Sequence, residues 1–96
     1  MEKKEKIMNP EDIDKIFNEV KKTLIAKNAD YGGASFDLGL VGNMVHIHDK
    51  ESRYRNLIHK AQILPECKPN FESIEDTLKD LIGYCVIGLL ILNDEK

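Results

Sequence analysis

Glu72–Leu92, ESIEDTLKDLIGYCVIGLLIL, is acidic in its front half and almost wholly apolar in its back half. Read as a helix, it sets Glu72, Asp76 and Asp80 at i, i+4 and i+8, on one stripe of one face. Like charges at that spacing repel by roughly 0.2–0.5 kcal/mol per pair in an isolated helix. The apolar half predicts burial along much of the helix. A carboxylate stripe that runs into a buried segment needs cations, either Lys or Arg from a neighbouring element or a metal ion. Gly83 and Gly88 each cost about 1 kcal/mol relative to Ala in a helix interior, so their presence points to close contact with another helix.

Upstream of this helix, Asn70 or Ser73 is the candidate cap, and Pro65 and Pro69 bracket the loop before it. A second helix begins between Leu38 and Asn43. Its Ile47, Tyr54, Ile58 and Ala61 share one face, with His46, Asp49 and Arg53 on an adjacent polar face. Asn9 and Pro10 start the first helix as N-cap and first helical residue, with Glu11 and Asp12 in the first turn. Ile13, Ile16, Phe17, Val20, Leu24 and Ile25 form its apolar stripe, which runs to about Lys27 or Asn28. The stretch NADYGGASFDLGLVGN, with four glycines and no sustained period, reads as a loop. The sequence therefore predicts an all-α bundle with helices near 10–28, 42–62 and 72–92. Residues 1–9 read as a frayed charged tail and 10–96 as a single helical domain.

Ninety-six residues with a formal charge of −3 make one small domain. A chain this short leaves apolar area uncovered, so a homo-oligomer is expected. The mild negative charge argues against duplex DNA as a partner, because that surface needs many Lys and Arg on phosphates. Cys67 and Cys85 form no CxxC, and Cys85, inside the apolar run, reads as a small core residue. Residues 1–12 hold no apolar signal-peptide core, and Leu81–Leu92 is too short to span a membrane. The expected location is the cytoplasm, with no membrane partner.

Three groups of residues carry chemistry. Asp76 and Asp80, one turn apart, with Asp49 from the second helix, are the candidate metal set, and Mg²⁺ is the ion that such carboxylates hold beside substrate phosphates. The bland alternative is an acidic helix start that complements the dipole. Lys50 and Arg53 are candidate phosphate ligands, since guanidinium and ammonium both donate to phosphate oxygens. Arg53 also reads as a surface partner of Asp49, or as a bridge to Asp76 or Asp80. In KNADYGG, Lys27, Asn28, Asp30 and Tyr31 supply a cation, an amide, an acceptor and a ring beside flexible glycines, which suits a nucleotide. The same composition suits a helix C-cap. The phosphate-loop pattern GxxxxGK[ST] is absent from the sequence.

The order KNADYG, GLVGNMVHIHDKESR, NL and ESIEDTLKDLIGYCVIGL resembles the nucleotide modification associated domain of type 1. This small helical family is found largely in phages and prophages. The resemblance spans about Ala26 to Leu90 and rests on KNxDYG, DKxSR and the DxxxDxxxY spacing of Asp76, Asp80 and Tyr84. It implies a role in making or handling modified nucleotides, in host cytoplasm if phage-encoded. A more distant likeness is to the MazG-like all-α nucleoside triphosphate pyrophosphohydrolases, which hold Mg²⁺ with ExxE and ExxD on paired helices. Here Glu72 and Glu75 supply one ExxE, whereas the partner helix offers only Asp49 and Glu51.

Three functions follow as expectations. One is Mg²⁺-dependent hydrolysis of a nucleoside triphosphate or related phosphoester. A second is a non-catalytic binder, such as a sponge for a nucleotide-derived defence signal. The third is a structural or partner-binding helical module.

Overall fold

The computed structural model describes residues 7–63 and 70–95. Most of the charged tail, together with Pro65, Cys67 and Pro69 of the predicted loop, lies outside the described residues. The described chain is all-α: α1 spans Pro10–Tyr31, a 3-10 helix spans Gly32–Phe36, α2 spans Gly39–Ile63 and α3 spans Phe71–Asp94. The fold class expected from the sequence is the one observed. The molecule is elongated, 50 × 31 × 25 Å along its principal axes. No described helix is long and apolar enough to cross a membrane.

The helix starts are those read from the sequence. The Asn9 side chain accepts from the Glu11 N–H at 2.9 Å, and the Asn70 side chain accepts from the Ser73 N–H at 3.1 Å. Each thereby satisfies a donor that a helix N-terminus leaves open. The end of the first helix differs. Lys27–Tyr31, read as loop, is the last turn of α1. Composition alone does not stop a helix; the stop comes from Gly32, whose φ of +59° lies in the region that favours glycine. The Gly32 N–H still donates to the Asn28 carbonyl. Gly39, at φ +61°, opens α2 after the 3-10 segment.

α2 and α3 form the main packed pair, and α1 lies against α3. Both glycines of α3 mark close approach, as their cost in a helix implied. A Cβ on Gly88 would come within 2.5 Å of the Asn43 Oδ1, and one on Gly83 within 3.3 Å of Leu24 Cδ2. Asn43, itself buried, donates from Nδ2 to the Tyr84 carbonyl at 2.7 Å. Thr77 is the most deeply buried polar side chain; its hydroxyl donates to the Ser73 carbonyl at 2.6 Å and accepts from Arg53 Nε at 3.3 Å.

Among the described residues the buried apolar core is small: Val20, Ile87 and Ile91. The back half of α3 is only partly covered, because Leu89, Leu90 and Leu92 stay exposed. Cys85 is exposed as well, which corrects its reading as a core residue. An apolar surface on all sides of its back half means that α3 needs covering. It does not select the side that the other two helices take.

Candidate functional site

Where α1 ends against α3, a cleft of about 560 Å³ opens. The last turns of α1 supply Lys27, Asn28 and Tyr31, the 3-10 helix supplies Phe36, and α3 supplies Lys79, Asp80 and Tyr84. Apolar side chains such as Leu24 and Ile87 line it between these polar groups. A concave, mostly apolar wall with a few convergent polar groups is the usual form of a small-molecule site. Helical spacing produces the convergence. Lys27, Asn28 and Tyr31 share one face of α1 at i, i+1 and i+4, and Asp80 and Tyr84 share one face of α3 at i and i+4.

Asp80 is the hub. One carboxylate oxygen stands 3.5 Å from Lys27 Nζ and the other 2.9 Å from Lys50 Nζ, so a single side chain of α3 ties α1 and α2 together. The Asp80 side chain keeps 25% of its exposure and Lys27 keeps 50%, so the ions stay in reach of solvent and of a ligand. Arg53, one turn beyond Lys50 on α2, does not pair with Asp76 or Asp80; its Nε goes to Thr77. The ion pair along α2 is Glu51–Arg55, with Nε donating to Oε1 at 3.1 Å. Asp30, Asp49 and Asp76 are exposed.

The cleft rim holds a second charge group. Lys79 Nζ lies 2.9 Å from Glu19 of α1 and 3.0 Å from Glu75 of its own helix. Hydrogen bonds to Glu19 and then Glu75 raise the Lys79 pKa above its ordinary value. In turn the hydrogen bond from Lys79, reinforced by its charge, lowers that of Glu19.

Tyr84 is fixed by α2 twice. His46 stacks on its ring with centroids 4.9 Å apart and planes 5° from parallel, while Asn43 holds its carbonyl. Sequence reasoning missed this pair. His46 reads as an ordinary polar residue and Asn43 as part of a loop or helix start, and no local signal links either to a tyrosine some forty positions on.

The metal set fares differently from the cleft residues. Asp80 is engaged by two ammonium groups, and among the described residues no group of three His, Cys, Asp or Glu side chains stands together to hold a metal ion. Asp49, Asp76 and Asp80 are thus not gathered into one such group.

No curated protein and no solved structure matches the chain significantly. The family model described as nucleotide modification associated domain 1 matches residues 27–92. That match covers more than half of the chain and begins at Lys27, on the rim of the cleft, so this protein belongs to the nucleotide modification associated domain 1 family.

Proposed function

We propose that this domain binds a nucleotide or a closely related phosphorylated small molecule in the α1–α3 cleft, and that it acts as a binder rather than a hydrolase. The observation that carries the reading is the convergence of Lys27, Asn28, Tyr31, Asp80 and Tyr84 on one cleft of about 560 Å³, a volume suited to a mononucleotide-sized ligand. Tyr31 and Tyr84 offer rings for a base to stack on. The Asn28 amide both donates and accepts, as reading a base edge requires. Lys27, held among the described residues by a partly exposed pair with Asp80, can exchange that carboxylate for a phosphate oxygen. Lys50, outside the cleft lining, pairs with the other oxygen of Asp80 and holds that carboxylate in place. Catalysis by a bound metal is not part of this reading, because the carboxylate best placed for it is engaged by lysines.

Titration calorimetry with the common nucleoside mono-, di- and triphosphates and with cyclic nucleotides, with and without Mg²⁺, tests this. Binding of at least one class, weakened about tenfold or more in Lys27→Ala and Tyr31→Ala but not in the distant Lys60→Ala, is the expected result. Product release from a triphosphate, seen only with Mg²⁺, would replace the binder with the hydrolase. No heat and no thermal stabilisation with any of them would leave the cleft without this role.

A further inference from the structure

α3 carries a second apolar face that no described element covers. Leu78, Ile82, Cys85, Leu89 and Leu92 follow one another at intervals of four, three, four and three residues. That is the spacing of a helix-packing seam, sustained over four turns. It points away from the residues that touch the rest of the fold: Gly83 and Ile87 lie about half a turn round the helix, and Thr77, Tyr84 and Gly88 about a quarter turn or more. The exposures agree. Leu78 is 40%, Leu89 66% and Leu92 41% exposed, Cys85 is exposed, and Ile82 is half-buried. On the neighbouring helix, Leu40 and Met44 add exposed apolar surface at i and i+4.

The amount of uncovered surface points to the occupant. The chain exposes 8294 Å², whereas a compact monomer of its 11.0 kDa exposes about 5,600 Å². The excess, roughly 2,700 Å² over the whole chain, exceeds the roughly 1,000–2,500 Å² that each partner of an obligate homodimer hides, so a second copy on the seam would cover part of it. The seam carries no charge, so it offers nothing for a charged partner to recognise. It is also nearly symmetric about its middle residue, Cys85. Turned end for end, Leu78 falls opposite Leu92 and Ile82 opposite Leu89. A two-fold contact requires that self-complementarity, and an antiparallel arrangement also opposes the helix dipoles.

We infer that the α3 seam is the interface for a second copy of this chain, with the two α3 helices antiparallel about a two-fold axis at Cys85 and the two α2–α3 pairs closing a four-helix bundle. The inference is independent of what the cleft binds. It also sets a function for Cys85: a small side chain at the axis lets the two helices approach closely.

The test uses the full chain. Light scattering at micromolar concentration is expected to give twice 11.0 kDa. In a Cys67→Ser background, a short bismaleimide is expected to join most of the chains through Cys85. Leu89→Glu, which disturbs little within the chain because Leu89 is 66% exposed, is expected to give a helical monomer, while Phe17→Glu on the exposed stripe of α1 leaves the dimer intact. A wild-type monomer overturns the inference. So does a dimer that Phe17→Glu breaks and Leu89→Glu spares, since that places the contact on α1. If Leu89→Glu loses its helical circular dichroism, the crosslink decides: no Cys85–Cys85 product from the dimer overturns the inference too.

Discussion

Asp80 holds the Lys50 ammonium at 2.9 Å across the interface of α2 and α3, and its second oxygen faces Lys27 of α1. One carboxylate thus offsets half of the positive charge of the two lysines that it joins. Its removal should separate its two roles, as a tie between helices and as a competitor for the lysines.

Asp80→Asn should lower stability only slightly, by about 1 kcal/mol or less, because both pairs are partly exposed. Under the proposed function it should tighten binding of a phosphorylated ligand, by about fivefold if one charge near phosphate is worth ~1 kcal/mol there. Urea unfolding and calorimetry on the same variant measure both. A tenfold weakening instead would mean that the carboxylate itself touches the ligand.

Gly88→Ala should destabilise despite Ala being the better helix former. The new Cβ would meet Asn43 Oδ1 at 2.5 Å, a contact that must shift a buried amide holding the Tyr84 carbonyl. Overpacking of that kind costs about 1–3 kcal/mol. Gly83→Ala, whose nearest neighbour is a flexible leucine carbon at 3.3 Å, should cost less or stabilise. A double-mutant cycle adding Asn43→Ala should show the Gly88→Ala penalty shrinking, the mark of a direct clash.

Thr77→Val keeps the shape of a side chain that is only 2% exposed and deletes its hydroxyl. The Ser73 carbonyl loses a donor and Arg53 Nε loses its acceptor. The expected loss is about 1–2 kcal/mol in chemical denaturation. Arg53→Ala should then change stability more than ligand affinity, which is the reverse of what a phosphate contact would give.

The Glu19–Lys79 bridge should make the docking of α1 pH-dependent. The folded pKa of Glu19 lies below its ordinary 4.5 because Lys79 donates a hydrogen bond to it. The bridge therefore contributes fully at neutral pH, above that ordinary value, and its contribution is lost as pH falls through the lower, folded value. Glu19→Gln should accordingly be less stable than wild type at pH 7, with the difference closing in acid. A gap that widens in acid would mean that the sign, and with it the bridge, is wrong.

Much of this molecule was legible in the sequence, because much of it is local. Caps at Asn9 and Asn70, helical periodicity and the lack of alternating strand patterns depend on residues within a few positions of one another, and their physics does not wait for the rest of the fold. The same holds for the close-packed glycines, since a costly residue in a helix interior implies a neighbour that needs the space. Lys27, Asn28, Tyr31 and Asp80 could be singled out by chemistry, and the tertiary structure brought them to one cleft. What only the tertiary structure decided was the pairing. Asp80 has Lys27 and Lys50 rather than Arg53, Arg53 has Thr77, Tyr84 has His46 and Asn43, and Cys85 faces outward. Each depends on which side of α3 meets which helix, a choice set by the summed packing of three helices. The back half of α3, from Leu81 to Leu92, is apolar nearly all round and offers no polar stripe to mark its outside, so its own sequence could not orient it.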